Sequence, residues 1–223
     1  MINIAIDGPA GAGKSSIAKA VASKYGYIYV DTGAMYRALA YKAITNNISI
    51  KNTADIENML ESTKLDIKYN DLGQRIYLDG NDISDYIRTP EVSMGASDIS
   101  AIPYVRAWLL DMQKNIAKAN DCIMDGRDIG TTILPNADLK IFLIASPEER
   151  AMRRYKELLE KGQNITFDEV LDDVKTRDYN DSHREISPLK KADDAIEVDT
   201  TGYNLEESIN LVCDIIDSRL RGE

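Results

Sequence analysis

The sequence predicts an α/β fold: a five-stranded parallel sheet flanked by helices, with a small antiparallel β insertion and a helical lid. Five short apolar runs, at 2–6, 27–30, 122–124, 139–144 and 195–198, are separated mostly by stretches of helical periodicity. That layout places buried parallel strands between crossover helices. A second pattern, period-two alternation at 65–69, 75–78 and 82–84, is interrupted by Asn70-Asp71-Leu72-Gly73 and Asp79-Gly80-Asn81, which predicts a hairpin meander. The third observation is a glycine-rich turn, residues 8–13, joining the first run to the first helix.

In chain order, helices are expected at 15–24 and 34–45, then at 104–118, 147–161, 167–180 and 205–219. Pro147 suits a first-turn position, where a missing N–H costs little. Lys161-Gly162-Gln163-Asn164 is the expected hinge-like loop. No internal repeat or low-complexity tract interrupts the chain. Its 223 residues, 43% of them hydrophobic, suit one α/β domain with inserted parts.

The formal net charge of −10 argues against a protein that coats nucleic acid, which needs a basic surface to displace counterions. An anionic ligand must therefore be gripped by a local cluster of cations. The two cysteines, Cys122 and Cys213, have neither C-x-x-C spacing nor the count of a disulfide framework, and both are expected in the core of a protein of a reducing compartment. No membrane span or secretory leader is recognised, so a cytoplasmic location is expected. With His183 as the one histidine, multi-histidine metal sites and Ser-His-Asp chemistry lose support.

Gly8-Pro9-Ala10-Gly11-Ala12-Gly13-Lys14-Ser15 matches G-x-x-x-x-G-K-[ST] in its proper strand–turn–helix context. Such a turn aims consecutive backbone N–H groups and a helix N-terminus at one point, where a polyphosphate sits. Lys14 is expected to reach the β/γ-phosphates and Ser15 to ligate Mg²⁺, with Ser16 adjoining. ATP or GTP is the expected ligand, and the fold is a P-loop NTPase. Asp125, closing the third apolar run, fits the Walker-B position that supports Mg²⁺ and its waters.

Four further segments carry charge, two of them just after apolar runs, at the carboxyl ends of strands where α/β folds gather ligands. Asp31-Thr32-Gly33-Ala34-Met35-Tyr36-Arg37 places Arg37 near the phosphate loop, or else is a capped helix with a surface arginine. Arg150, Arg153 and Arg154 stand at i, i+3 and i+4, either as a solvated face balanced by glutamates or as a lid closing on phosphoryl oxygens. Arg177, Asp181 and Arg184 fall on one face if their helix persists, either to contact a phosphate and sugar hydroxyl together or as helix-surface salt bridges; Arg127 and Asp128 form either a ligand pair or a solvated turn. His183 points elsewhere on that helix.

Together these motifs resemble bacterial cytidylate kinase, a family of P-loop nucleoside monophosphate kinases, along nearly the whole chain. The likeness rests on residues 8–16, the Asp31–Arg37 turn, the insertion near 64–90, Asp125-Gly126-Arg127-Asp128-Ile129-Gly130-Thr131 and residues 177–184, in matching order. Thr32 replaces the family's usual serine and keeps the hydroxyl. The resemblance implies phosphoryl transfer from MgATP to CMP or dCMP. It divides the chain into a core (about 1–36, 118–146 and 190–223), a monophosphate-binding part (about 37–117), an arginine lid (about 147–165) and an acceptor-binding helix (about 166–189).

By position, the resemblance assigns Thr32, Arg37 and Arg127 to the acceptor phosphate region. Arg177, Asp181 and Arg184 fall to sugar and phosphate, and Ser97, Arg106 and Asp128 to the base. Lys14, Arg127, Arg150 and Arg154 are the expected catalytic cations. Cytosine pairs an amino donor with acceptors, so an acceptor beside a donor is the right chemistry for reading it. The partners implied are small nucleotides, with no nucleic acid or membrane, and the chain is expected as a monomer. A kinase for UMP, AMP or shikimate is the alternative enzyme. A GTP switch lacks its N-K-x-D motif here, and a nonenzymatic ATP module predicts binding without turnover.

Overall fold

The computed structural model describes residues 1–71, 73–160 and 162–222. Leu72, in the first expected turn of the meander, and Lys161, at the start of the expected hinge-like loop, lie outside the described residues. The strands are β1 (Asn3–Asp7), β2 (Ile28–Asp31), β3 (Leu65–Asn70), β4 (Gly73–Leu78), β5 (Asn81–Asp82), β6 (Cys122–Gly126), β7 (Leu139–Ile144) and β8 (Ile196–Asp199). The helices are α1 (Lys14–Tyr25), α2 (Thr32–Thr45), α3 (Thr53–Glu61), α4 (Pro90–Ile99), α5 (Pro103–Ala119), α6 (Pro147–Glu160), α7 (Phe167–His183) and α8 (Leu205–Ile216), with π-helical turns at Ile129–Ile133 and Asp217–Arg221. The chain divides into two compact units, one of Met1–Ile28 and the residues from Asn120 onward, the other of Tyr29–Ala119.

The expected five-stranded sheet is present, in the order β2-β6-β1-β7-β8. β1 lies between β6 and β7 and runs parallel to both, with Ile4 opposite Ile123 on one side and Leu139 on the other. β8 continues the parallel arrangement beside β7. A strand covered on both faces cannot alternate, which is why Ile4, Ala5 and Ile6 are all fully buried. Strand ends run past the apolar runs to Asp7, Asp31, Gly126 and Asp199, because ladder hydrogen bonding continues through a polar residue. Both cysteines are free and buried, as expected.

In the first unit, α6 and α7 form a helical pair around Ala151, Leu158, Val170 and Val174, with Tyr155, Ile165, Phe167 and Leu171 against them. Thr166 and Glu169 form a reciprocal capping box that starts α7, satisfying two backbone donors at that terminus. The helix runs three residues beyond the expected end at 180.

The second unit holds the antiparallel sheet β3-β4-β5, with Leu65 opposite Leu78 and Tyr77 opposite Asp82. Its third strand is shorter than the expected 82–84. Ser84 folds back so that its N–H and hydroxyl donate to Asp82 Oδ1 at 3.0 and 2.7 Å, while its Oγ accepts the Ile76 N–H at 2.8 Å. The helices α3 and α4 have no counterpart in the sequence-based expectation. The α4 helix lies close to α2 through Gly95, where a Cβ would come within 3.3 Å of Ala40 Cβ and 3.1 Å of Ile50 Cδ1.

Candidate active site

In the first unit, the phosphate loop leaves β1 at Gly8, whose φ of 149° belongs to the glycine-favouring region and whose added Cβ would collide with the Leu143 carbonyl of β7. The loop ends at Gly13, which caps α1 without any side-chain hydrogen bond. A glycine cap offers the first amides of α1 no side-chain acceptor, an arrangement suited to an anion at the helix N-terminus. Lys14 is buried, and its Nζ donates to the Pro9 carbonyl at 2.7 Å. Burial, then the like charge of Arg127, pushes the Lys14 ammonium down to about 7. Ser15 Oγ donates to Asp125 Oδ2 at 2.9 Å, so the structure brings the two expected metal-supporting residues together.

Asp7 escaped the sequence reading. Its two carboxylate oxygens accept the N–H groups of Ile129 and Gly130 at 2.8 and 2.7 Å, so the end of β1 is stapled to the turn that follows Asp128. Burial pushes the Asp7 carboxyl up to about 6 against the opposing pull of those two amides. An aspartate closing a buried strand was the available signal.

Arg127 and Asp181, both expected at the acceptor, meet directly: Nε to Oδ2 is 2.7 Å. Burial works against both charges, yet Asp181 holds Arg127 above its usual value and Arg127, with Arg177 and Arg184, holds the Asp181 carboxyl below the usual range. Arg184 Nη2 stands 3.5 Å from Asp128 Oδ1, and its Nε donates to the Ser187 carbonyl at 2.6 Å. The α7 helix stops at His183, leaving Arg184 in an extended conformation with ψ 144°. The shared helical face therefore holds for Arg177 and Asp181, and Arg184 joins them because the chain turns out of the helix. His183 stacks on Tyr179 with ring centroids 4.0 Å apart.

The three arginines of α6, expected as a lid, lie on one continuous helix but do not form one open cluster. Arg150 is buried, its Nε donating to Ala145 O at 2.8 Å and its Nη1 to Ala10 O at 3.0 Å. Its two Nη atoms also fork onto Asp178 at 3.0 and 2.6 Å. That carboxylate on α7, invisible as a partner in the sequence, draws Arg150 inward. Arg153 pairs with Glu149 at 3.2 Å and donates to Thr200 O at 3.4 Å; its Nη1 lies 3.7 Å from where a Cβ on Gly13 would sit. Arg154 makes no ion pair among the described residues.

In the second unit, Asp31 caps α2 by accepting the Ala34 N–H at 2.8 Å and holds Arg37 Nη2 at 2.7 Å. Burial opposes ionisation of Asp31, but Arg37 and Arg88 keep its carboxyl below the usual range. Arg37 Nε is buried with no hydrogen-bond acceptor among the described residues, an orphan donor of the kind a bound anion would satisfy. Thr32, next to Asp31 in the chain, is buried. Gln74 of β4 brackets the Asp31 backbone, accepting its N–H at 2.8 Å and donating to its carbonyl at 3.2 Å. Arg106 is buried, donates to Ser100 O at 3.2 Å and stands 5.7 Å from the Tyr36 ring centroid. Ser100 Oγ donates in turn to the Ser97 carbonyl at 2.8 Å, so the two expected base-reading residues of this unit share one local network.

A family model described as cytidylate kinase matches residues 4–218. The chain belongs to the cytidylate kinase family. It is 52% identical over 222 residues to a cytidylate kinase of Caldicellulosiruptor bescii, covering 100% of this chain and 98% of that one. A cytidylate kinase of Lactobacillus johnsonii is 48% identical over 219 residues, with 98% and 95% covered. Among solved structures, an uncharacterized protein from Eubacterium ventriosum aligns with a TM-score of 0.53 at 15% identity, over 98% of this chain and 99% of that one, a likeness of fold.

For a cytidylate kinase family member, the structural additions to the sequence-derived set are Asp7, Asp31, Gln74 and Asp178. Asp31 and Asp178, inside the 31–37 and 177–184 segments, hold the predicted Arg37 and Arg150, while Gln74 brackets the Asp31 backbone and Asp7 staples the turn after Asp128. No described helix is long and apolar enough to cross a membrane.

Proposed function

We propose that the chain transfers the γ-phosphoryl group of ATP to CMP or dCMP, forming ADP and the nucleoside diphosphate, as a cytoplasmic monomer acting on small nucleotides. The observation that carries this reading is the family match across residues 4–218. The phosphate loop supplies its chemistry: amide donors at the start of α1, a buried Lys14, and Ser15 against Asp125.

Ser15 and Asp125 fit Mg²⁺, since a hydroxyl and a carboxylate already converge within 2.9 Å. Among the described residues no group of three or more His, Cys, Asp or Glu could hold a metal, which suits an ion that takes its other ligands from phosphates and water. When bound, Mg²⁺ neutralises charge on the donor phosphates. The acceptor oxygen is already anionic at neutral pH, so no general base is required. The residues then act by holding donor and acceptor in line while Lys14 and the arginines offset charge on the moving phosphoryl group.

Arg37 and Arg127 take the acceptor phosphate in this reading, and Arg177, Asp181 and Arg184 the sugar and phosphate. Asp128, Arg106 and Ser97 read the base; leaving such polar groups unmatched by a wrong base is costly. Of the lid arginines, Arg154 remains the proposed contact to the transferred group, because Arg150 is committed to Asp178 and backbone carbonyls. The test is ADP release by the purified chain with MgATP, with and without CMP. Release that depends on CMP supports the reading, and release indifferent to CMP reduces the chain to an ATPase.

A further inference from the structure

Arg150 gives up four hydrogen bonds to three separate elements while remaining only 3% exposed as a side chain. One goes to Ala145 just beyond β7, one to Ala10 within the phosphate loop, and two to Asp178 on α7. The loop also approaches the helix backbone: a Cβ on Gly11 would stand 3.2 Å from Arg150 Cβ and 3.5 Å from its carbonyl oxygen. On the other side, Asp178 directly follows Arg177 and precedes Asp181 by three residues on the same helix. The α6–α7 pair is held by its own apolar cluster, so displacement of Asp178 is resisted by a packed body rather than by one flexible side chain.

From this connectivity we propose that Arg150 is a positioning residue, which with Asp178 ties the donor-phosphate loop to the acceptor-binding helix α7 and couples the binding of the two nucleotides. The inference rests on the assignment of α7 residues to the acceptor. A ligand that orders the Ala10 carbonyl fixes the guanidinium, the guanidinium fixes Asp178, and Asp178 sets the placement of Arg177 and Asp181. Coupling of this kind is reciprocal: whatever factor ATP contributes to CMP affinity, CMP contributes to ATP affinity. Arginine is the residue for the task because its planar fork spans a carboxylate and two carbonyls at once, which a lysine ammonium cannot do.

The experiment is calorimetric titration of CMP into the full chain, with and without a saturating non-hydrolysable ATP analogue and Mg²⁺. It is run on the unaltered protein, on Arg150→Lys and on Asp178→Asn, with melting curves to establish folding. In the unaltered protein the analogue should tighten CMP binding about fivefold or more. Both variants should lose most of that factor while still binding each nucleotide alone. If Arg150→Lys does not fold, Asp178→Asn, whose carboxylate is 25% exposed, carries the test.

A folded variant that keeps the full factor overturns the proposal, as does an unaltered protein with no coupling. A kcat lowered about 10²-fold or more with coupling intact also overturns it, and returns Arg150 to direct contact with the phosphoryl group. Failure of the unaltered protein to bind CMP at all would instead strike the functional reading beneath it and overturn both.

Discussion

Arg127 Nε and Asp181 Oδ2 lie 2.7 Å apart, an ion pair between a part-buried arginine and a buried aspartate, both assigned to the acceptor. Neither charge can be removed without exposing the other to a poorly solvated setting. Replacing Asp181 by Asn removes the hydrogen-bonded carboxylate and leaves the guanidinium only the more distant charges of Asp125 and Asp7, a loss of about 3 kcal/mol, which in a chain of this length lowers Tm by roughly 6 °C or more. If Arg127 is a phosphate ligand, millimolar pyrophosphate should restore more of the Tm in Asp181→Asn than it adds to the unaltered protein. Equal shifts in the two proteins would contradict that role.

Lys14 is the most direct chemical probe. With burial holding its ammonium down to about 7, the side chain is mostly neutral near about pH 8, and the arrival of a polyphosphate restores its charge. ATP binding at that pH should take up close to one proton, and ATP affinity should weaken as pH rises above about 7, where that proton becomes harder to supply. Titration calorimetry in buffers of different ionisation enthalpy measures the uptake. A value near zero would contradict the assignment. Lys14→Ala should lower kcat by about 10²-fold or more with the fold retained.

Asp7 predicts a stability effect without a catalytic group being lost. Asp7→Ala strands the Ile129 and Gly130 amides, each costing about 1–3 kcal/mol when buried and unsatisfied, although relief of a carboxylate that burial pushes up to about 6 offsets part of this. The sign follows from that value. A carboxyl raised above its unfolded range is least costly to the fold below about pH 6, so the unaltered protein gains stability from this group as pH falls toward 6 and through it. Asp7→Ala lacks that gain, and the difference in Tm between the two proteins should widen on acidification from about pH 8 to about pH 5. A constant difference would contradict the account.

The sheet was legible in the sequence because parallel strands buried on both faces leave uninterrupted apolar runs such as Ile4-Ala5-Ile6. The phosphate loop was legible because its chemistry fixes its spacing, and Asp125 because it closes an apolar strand that follows such a loop in the chain. The α3 helix was missed although Ile56, Met59 and Leu60, all buried, mark its inward face at helical spacing. The α4 helix was hidden by Gly95, a poor helix former retained for close approach to Ala40, despite the start signal of Thr89 followed by Pro90. The α6 arginines were only half legible: periodicity placed Arg150, Arg153 and Arg154 on one helix, but pairing of Arg150 with Asp178 joins residues 28 apart and leaves no local pattern.

Asp128→Ala should raise KM for CMP about tenfold or more and leave KM for ATP within about twofold, since a base-reading carboxylate touches only the acceptor. Steady-state kinetics with each nucleotide varied in turn gives both numbers. Parallel rises in the two KM values would assign Asp128 to the architecture of the turn instead.

Acceptor choice tests the central claim most directly: kcat/KM for ADP formation with CMP, dCMP, UMP and AMP under saturating MgATP. The account predicts that CMP and dCMP exceed UMP and AMP by about tenfold or more. Turnover with UMP or AMP equal to or above that with CMP would contradict it.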